Sequence, residues 1–457
     1  MTYSKSQQRW AIVGGGFLGM TLALRLAQQG KSVTLYESAP SFGGLASAWQ
    51  LGDVVWDRHY HITLFSDLSL RSLLRELGLE EEICWQKART GFYVDSKLHS
   101  MSNALEFLRF PPLNLLEKVR LAATILRASR ITDWKSLEKV HVSDWLEKWS
   151  GSHVLNKIWL PLLRAKLGES YRDTSAAFIW ATIARLYAAR RTGTKTELFG
   201  YVTGGYSRII QHFEQILLRE RVECHVGQAV RAITSTTSGR LRVERTPGNI
   251  GLFDKVVVTA AAPIAARVCA QLTPAEKKSL GDIKYQGIIC PSLLLEHSLS
   301  DFYITNIADG RIPYTAVIEM SSIVDRQLFG GRALVYLPKY VSSDSIDFDK
   351  PDDQIREEFM CALERMYPRF SRNHLLCFQV SRVKHLVPIP TINYSESLPK
   401  VETSVPGLFI LNSAHILNGT LNVNETIQLA ESGARRFARQ QPPIADYSEH
   451  ELPTAHR

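Results

Sequence analysis

Hydrophobic and polar positions follow two different periods along the first forty residues. Short apolar runs at 10–13 and 32–36 predict buried parallel strands, because a strand covered on both faces is apolar throughout. Between the runs, apolar residues recur at helical spacing from Leu18 to Ala27, and Gly30 is placed to end that helix. The pattern therefore predicts a strand–helix–strand unit whose two strands lie parallel.

The rest of the chain contains two long stretches of different pattern. Residues 67–199 favour helices, and residues 269–397 mix alternating runs with one amphipathic helix near 353–365, which is typical of a mixed sheet. Residues 441–457 are polar and contain a Pro pair, so we expect a loose tail. The clearest helical spacing, i, i+4, i+7 and i+11, is that of Leu115, Val119, Ala122 and Leu126.

Composition excludes several classes of protein. The chain has 457 residues, 45% of them hydrophobic and 22% charged, which indicates a globular protein of two or more folding units. A net charge of +9 is spread thinly, without the interleaved aromatic and Arg residues of a nucleic-acid site. The six cysteines are isolated and no histidines have zinc spacing, so we predict no metal site, no disulfide framework and a cytoplasmic location. The sequence contains no run of 18 apolar residues, so we predict no transmembrane helix.

A glycine motif follows the first predicted strand. Gly14, Gly16 and Gly19 satisfy G-x-G-x-x-G, with Phe17 and Leu18 opening the helix. The first glycine permits a tight turn, the second lets a pyrophosphate approach the backbone, and the third lets helix and strand pack closely. The free N–H groups at the helix N-terminus bind phosphate oxygens. The motif in this strand–helix context predicts a dinucleotide site.

A second motif extends this prediction. Glu37 stands at the end of the second strand, where a carboxylate accepts hydrogen bonds from ribose hydroxyls, and Gly43-Gly44-Leu45 follows it. This arrangement resembles the flavoprotein family of amine oxidases, protoporphyrinogen oxidases, phytoene desaturases and UDP-galactopyranose mutases. The resemblance implies FAD, with Gly44 and Leu45 close to its diphosphate. No cysteine lies where relatives attach flavin covalently, so the expected binding is non-covalent.

The resemblance continues along the chain. Residues 57–62 resemble the histidine loop beside the flavin ring, and Val230 matches a residue whose backbone meets the adenine. Asn412 and Asn424 belong to a segment that resembles the family's C-terminal strand, loop and helix, which close on the flavin. The family's α/β fold implies a discontinuous, Rossmann-like FAD-binding domain, interleaved with a helical insertion at 67–199 and a mixed-sheet substrate domain at 269–397. Its three segments are 1–66, 200–268 and 398–440.

Three residues are candidates for catalysis. His59 and His61 are two apart, so on a strand they would share a face beside the flavin, where an imidazole could steer protonation or polarise a substrate oxygen. The alternative is a structural hydrogen bond within the loop. Lys384 resembles the position where family chains cross the flavin edge, and some relatives place a lysine with a water near flavin N5.

Three basic residues of the helical insertion are candidates for substrate binding. Arg164, Lys166 and Arg185 lie in segments that, in this fold, form the wall opposite the flavin, and together they could hold a carboxylate or phosphate. The alternative is that Glu169, Asp173 or solvent neutralises them.

The expected function is FAD-dependent oxidation of a C–N or C–C bond in a small anionic or lipophilic substrate. Only one G-x-G-x-x-G occurs in a strand–helix context, so the sequence offers no second nucleotide site for NAD(P)H. Electrons would therefore pass from the flavin to oxygen, a quinone or another diffusible acceptor. One alternative is a mutase-like isomerase of a sugar nucleotide, which needs paired arginines. Another is a flavin-binding protein without turnover. Residues 418–424 depart from the protoporphyrinogen-oxidase pattern, and the sequence does not predict the oligomeric state.

Residues 113–130 combine an apolar face with basic residues. Such a helix can lie on a membrane surface, and it can equally pack its apolar face into a core. Peripheral membrane contact is therefore an open expectation. The basic residues are Lys118, Arg120, Arg127 and Arg130.

Overall fold

The computed structural model describes residues 7–190, 198–246, 248–417 and 420–439. The predicted loose tail at 441–457 lies outside the described residues. The described part of the chain alternates strands with helices and confirms the α/β class that the family resemblance implies.

Strands and helices are numbered along the chain. The strands are β1 (Arg9–Val13), β2 (Ser32–Tyr36), β3 (Ala48–Leu51), β4 (Val54–Asp57), β5 (Thr63–Leu64), β6 (Ile83–Lys87), β7 (Thr90–Val94), β8 (Lys97–Ser100), β9 (Leu198–Val202), β10 (Glu223–His225), β11 (Val230–Ser235), β12 (Leu241–Arg245), β13 (Asn249–Phe253), β14 (Lys255–Val258), β15 (Tyr285–Leu295), β16 (Ile304–Ile307), β17 (Ala316–Glu319), β18 (Ala333–Tyr336), β19 (Lys339–Ser342), β20 (Leu375–Pro388) and β21 (Leu408–Ile410). The helices are α1 (Phe17–Gln28), α2 (Leu68–Glu76), α3 (Ala104–Leu108), α4 (Leu115–Ala128), α5 (Val142–Ser150), α6 (Ser152–Val154), α7 (Leu160–Leu167), α8 (Ala176–Arg190), α9 (Gly205–Arg219), α10 (Ala262–Val268), α11 (Pro274–Gly281), α12 (Asp352–Met366), α13 (Tyr394–Ser397) and α14 (Val423–Arg439).

The first sheet is parallel and has the strand order β10-β2-β1-β14-β21. Alternate residues of β1 point to opposite faces: Trp10 and Ile12 enter the core that includes α1 and α14, and Ala11 and Val13 enter the core that includes α10 and α11. Burial on both faces explains why these strands are apolar throughout. The strands come from the three segments expected to form the FAD-binding domain. Because all of them are parallel, their carboxyl ends meet at one edge of the sheet.

The second sheet has the order β19-β15-β18-β17-β16-β7-β8, and β20 pairs with the other edge of β15. One face packs on α12 through residues such as Phe348 and Phe359. The other face packs on β3 and β4 of the first domain through Ile288, Leu334 and Trp56. This second face is the one that meets the predicted histidine loop.

The expectation that 67–199 is a helical insertion is only partly right. β6 pairs with β9, and β7 and β8 extend the second sheet through a parallel pairing with β16. Residues 90–94 read Thr-Gly-Phe-Tyr-Val, and β-branched and aromatic side chains favour a strand. Phe92 and Tyr93 are buried on its two faces. The remaining α-helices of this stretch are α2 to α8, and α4 to α8 pack around a core that contains Trp145, Trp159 and Trp180.

Candidate functional site

The turn between β1 and α1 requires glycine at its first and third motif positions. Gly14 has φ +117°, and an added Cβ would lie 2.5 Å from Thr259 Oγ1. An added Cβ at Gly19 would overlap the carbonyl oxygen of Gly14. These two glycines therefore serve the tight turn and the close helix–strand contact predicted from the motif.

Gly16 and Gly44 form a cradle between the two glycine loops. An added Cβ on Gly16 would meet only Gly44 Cα, at 3.8 Å, and Gly44, at φ +58°, faces back toward Gly16 Cα. Gly43 N–H donates to Gly15 O at 2.8 Å and ties the loops together. Among the described residues, no side chain caps the N-terminus of α1 beside this cradle. Open space beside free backbone N–H groups suits a pyrophosphate, so the residues present fit FAD.

The side chains of Phe17 and Leu18 belong to the core rather than to the cradle. The Phe17 ring packs on Tyr206 and Phe213 at centroid distances of 5.5 and 6.0 Å, and Leu18 is buried. We therefore expect Phe17 and Leu18 to bind the cofactor only through their backbone N–H groups.

Glu37 lies beside the cradle, at the carboxyl end of β2. Its carboxylate accepts hydrogen bonds from the N–H groups of Gly15 and Ala39, each at 2.7 Å. Gln228 N–H donates to Glu37 O at 2.9 Å, which brings the segment before Val230 alongside. The structure thus gathers the residues predicted for the adenosine half of FAD at one edge of the sheet.

Replacing Glu37 by alanine should weaken FAD binding about 10- to 100-fold, since hydrogen bonds to charged groups contribute about 1.5–3 kcal/mol. FAD retained after dialysis measures the effect. Glu244→Ala, on the antiparallel strand β12, is the control. Equal retention by Glu37→Ala and wild type would contradict a role for this carboxylate.

The two predicted asparagines use their side chains to hold the chain together. Asn412 Nδ2 donates to Ala260 O at 3.0 Å, and its Oδ1 accepts from Ala414 N–H at 3.1 Å. Asn424 Oδ1 accepts from the N–H groups of Ser69 and Leu70 and so caps α2. Side-chain contact with FAD is therefore not what this geometry favours. These residues position the C-terminal strand and helix next to the site.

The two predicted histidines do not share a strand face, because residues 58–62 form a loop. His59 is buried, with Nδ1 3.2 Å from Leu45 O and Nε2 3.0 Å from Ser381 Oγ. It therefore links the second glycine loop to β20. His61 Nδ1 donates to His59 O at 2.9 Å, and its ring lies 4.9 Å from that of Tyr206. His61 Nε2 remains as a hydrogen-bond acceptor.

Burial keeps both imidazoles neutral. It lowers the pKa of His59 to about 4 and the pKa of His61 to about 3. His61 nevertheless keeps part of its surface accessible. A neutral imidazole at pH 7 accepts a hydrogen bond and does not act as a proton donor. Of the two roles expected, polarisation of a substrate oxygen by His61 is disfavoured, because its Nδ1–H already donates to His59 O and Nε2 can only accept.

These pKa values predict an acid-sensitive fold. As pH falls below about 6.5, the unfolded chain protonates both histidines while the native state does not, so stability is lost from about pH 6.5 down to the native pKa values. Between pH 7 and pH 5, wild type should lose about 2 kcal/mol more than His61→Gln. Unfolding free energies from urea titrations at the two pH values measure the difference. Equal losses would show that His61 titrates normally.

The structure separates Lys384 from the histidine loop. Ser381 of β20 faces His59, whereas Lys384 is exposed, with Nζ 5.6 Å from the Phe348 ring. Phe348 lies in the core on the other face of the sheet. Ser381 and Lys384 are three residues apart on β20, so their side chains point to opposite faces of the sheet. Lys384 therefore does not reach the site at which a catalytic lysine was expected.

The three predicted substrate-binding cations do not converge on one pocket. Arg164 is half exposed, with Nη2 3.5 Å from Tyr171 Oη and Nε 4.0 Å from Glu169. Arg185 Nη2 lies 3.2 Å from the carboxylate of Asp67. The alternative interpretation is neutralisation by a nearby acid. Arg164 pairs with Glu169, as that alternative expects, and Arg185 pairs with Asp67, which it does not expect.

Lys166 differs from the two arginines. Its Nζ donates to Tyr340 Oη at 2.8 Å, and Tyr340 Oη lies 2.8 Å from Tyr60 Oη in the histidine loop. Sequence reasoning missed Tyr340, Ser381 and Tyr206 as neighbours of the loop. No spacing signal could have found them, because these contacts join distant segments.

Arg185→Ala should destabilise the protein by about 3–5 kcal/mol, because it leaves a buried carboxylate without its partner. Asp67 is 4% exposed and also accepts a hydrogen bond from Leu64 N–H at 2.8 Å. Thermal unfolding measures the loss, and Asp67→Asn in the same chain should recover part of it. Arg164→Ala is the matched control and should cost less than about 1 kcal/mol. Equal stability of both arginine variants would contradict a structural role for the Asp67 pair.

Known proteins resemble this chain in sequence. Residues 19–427 match the family described as flavin containing amine oxidoreductase. A zeta-carotene desaturase of Synechocystis is 27% identical over 284 residues, which cover 56% of this chain and 57% of that protein. A probable zeta-carotene desaturase of Synechococcus elongatus is 26% identical over 214 residues, covering 42% and 44% of the two chains. The chain thus spans about half the length of these curated relatives.

Solved structures share the fold over nearly the whole chain. A protoporphyrinogen oxidase-like protein of Exiguobacterium superposes with TM-score 0.73 at 18% identity, covering 95% of this chain and all of that one. A reduced UDP-galactopyranose mutase gives TM-score 0.73 at 13% identity, with coverage of 96% and 97%. At these identities the likeness shows the fold alone. The match over residues 19–427 goes further: the chain belongs to the flavin containing amine oxidoreductase family.

Proposed function

We propose that the protein binds FAD non-covalently across the Gly16–Gly44 cradle and oxidises a C–C bond of a lipophilic substrate. The observation that carries the proposal is the cradle itself, with open space over Gly16, an uncapped α1 N-terminus and Glu37 at its side. The names of the desaturase relatives favour C–C over C–N oxidation.

When bound, FAD would supply the redox chemistry: its N5 would be the acceptor for the substrate hydride, and oxygen, a quinone or another diffusible molecule would be the final electron acceptor. The chain surrounds the histidine loop with apolar residues, because Tyr60 and Ile62 pack against the buried cluster that contains Ile288, Cys290 and Leu334. His61, which is partly accessible, contributes a neutral Nε2 acceptor. His59 holds the loop against Leu45 and Ser381.

Anaerobic mixing of the flavin-loaded protein with candidate substrates tests the proposal. Polyprenoids should bleach the flavin absorbance, whereas amines and porphyrinogens are the competing substrate classes. Bleaching by an amine alone would replace C–C by C–N oxidation. No bleaching by any class would favour a flavin-binding protein without turnover.

The mutase alternative has less support in the geometry. It needs paired arginines for a diphosphate, and Arg164 and Arg185 have separate acidic partners. A sugar-nucleotide reaction that appears only after reduction with dithionite would restore it.

We also propose that α3 and α4 dock on a membrane surface. The apolar stripe predicted for α4 does not pack into the core: Leu115 and Leu116 are 68% and 67% exposed. The helix packs instead through Leu121, Thr124 and Ala128. We name the exposed set the α3–α4 face, and it consists of Leu105, Leu108, Leu115, Leu116, Val119 and Leu126.

The charges around the α3–α4 face suit anionic lipid. Arg109, Arg120, Arg127 and Arg130 are exposed on the same helices or just after them. Lys118, expected among these cations, is instead buried, and its Nζ donates to Leu108 O at 2.7 Å. In the described residues, no helix combines the length and apolarity needed to cross a bilayer. The proposed contact is therefore interfacial, through apolar side chains flanked by arginines.

A further inference from the structure

Gln286 is a buried amide without a partner. The residue lies on β15, is 1% exposed, and among the described residues neither Nε2 nor Oε1 has a hydrogen-bond partner. An added Cβ on Gly168 would lie 3.8 Å from Nε2, so the amide faces the end of α7. Buried amides are almost always hydrogen-bonded, because desolvation without compensation is unfavourable. A donor and an acceptor are therefore available at this point of the fold.

Lys166 places a positive charge in the same region. It lies two residues before Gly168, is half-buried, and its Nζ sits 2.8 Å from Tyr340 Oη and 4.1 Å from the centre of that ring. In the parts of the chain that the structure describes, no carboxylate lies within ion-pair distance of Lys166. This distinguishes it from Arg164 and Arg185, each of which has an acid.

These groups connect to the histidine loop. Tyr340 Oη lies 2.8 Å from Tyr60 Oη, and Tyr60 stands between the two loop histidines. Burial raises the pKa of Tyr60 well above its usual value, yet part of its surface, like that of His61, stays accessible. Gly287, the next residue on β15, faces Phe348 on the opposite side of the sheet, so Gln286 points toward the loop.

We propose that Gln286, Lys166, Tyr340 and Tyr60 bind a carboxylate of the substrate. The Lys166 ammonium and the Gln286 Nε2–H₂ group supply donors for the two carboxylate oxygens, and charge-assisted hydrogen bonds of this kind are the strong ones. The Tyr340 hydroxyl, which accepts from Lys166, holds the ammonium in place. The inference rests on the proposed function and narrows it to a lipophilic molecule that carries a carboxylate.

Calorimetric titration with octanoate, 1-octanol and octylammonium tests the subsite directly. Octanoate should bind at least 10-fold more tightly than 1-octanol, and octylammonium should bind most weakly. Lys166→Met and Gln286→Leu should each weaken octanoate binding about 10-fold and leave 1-octanol binding unchanged. Gln286→Leu should also fold with an equal or higher melting temperature, because it removes two unpartnered polar atoms. Lys157→Met, at the exposed Asp95 pair, is the control.

Equal binding of octanoate and 1-octanol, or octanoate binding that survives both variants, would overturn the subsite. The proposed function fails separately, when the protein neither retains nor recovers FAD. A protein that is bleached by a lipophilic substrate but shows no preference for octanoate keeps the proposed function and loses this inference.

Discussion

Gly16→Val is expected to abolish FAD binding in a protein that still folds. The valine side chain has room within the protein, since an added Cβ meets only Gly44 Cα at 3.8 Å. It would occupy the space through which a pyrophosphate reaches the backbone. Loss of two or more charge-assisted hydrogen bonds corresponds to a weakening of about 100-fold or more. FAD released by acid, measured per chain beside the melting temperature, gives the result.

Two other glycines serve as comparisons for this variant. Gly281→Val changes a glycine at the end of α11 that has no neighbour within 4 Å of an added Cβ, so flavin content should stay at the wild-type level. Gly19→Ala should lower stability as well as flavin content, because its Cβ would overlap Gly14 O. Wild-type flavin content in Gly16→Val would rule out the cradle as the pyrophosphate site.

The second large effect is expected at the α3–α4 face. Replacing Leu115, Leu116 and Val119 together by serine should lower binding to anionic vesicles about 100-fold or more. Each aliphatic side chain transferred from water to an apolar phase contributes about 1.5–3 kcal/mol when fully buried. Co-sedimentation with vesicles at low salt, where attraction to the arginines is least screened, measures binding.

Exposed aliphatic residues elsewhere provide a matched control for the triple variant. Leu218, Ile250 and Ile346 are also solvent exposed and lie on other elements, so the corresponding serine variant should sediment like wild type. Equal loss in both triple variants would show a general hydrophobic effect. No vesicle binding by the wild-type protein would contradict the docking proposal.

The nucleotide-binding unit could be predicted from sequence because its signals are local. The strand predicted at 32–36 has those bounds in the structure, and the helix after Gly16 begins at Phe17. The glycine positions indicate where the backbone turns, and the conformation of a turn depends on residues close to it in the sequence. The fold class and the family follow from such signals.

The side of α4 that packs inward could not be predicted from its period. Periodicity indicates an apolar stripe and does not say what lies against it. Here the inward face carries Thr124, whose hydroxyl accepts a hydrogen bond from Ser150 Oγ at 3.1 Å, and Ser150 in turn accepts from Trp159 Nε1 at 3.1 Å. This buried network satisfies the polar atoms and leaves the apolar stripe in solvent.

The polar contacts of the site depend on tertiary structure in the same way. Lys166 and Tyr340 are 174 residues apart, and Tyr60 and Tyr340 are 280 apart. Similarly, Glu296, His297 and His374 place possible metal-ligand atoms within 4.8 Å of one another, although their spacing along the chain is not that of a metal site. Residue type alone suggested Lys166, but it could not distinguish it from Arg164 and Arg185.

FAD bound across the Gly16–Gly44 cradle is the feature on which the proposed function most depends. Acid precipitation of the purified protein, followed by chromatography of the supernatant, measures that cofactor without any assumption about the substrate. We expect a yellow protein that releases about one FAD per chain into the supernatant, as a non-covalent flavin does. A colourless protein that FAD cannot reconstitute, or a flavin that stays with the precipitate, would contradict the account.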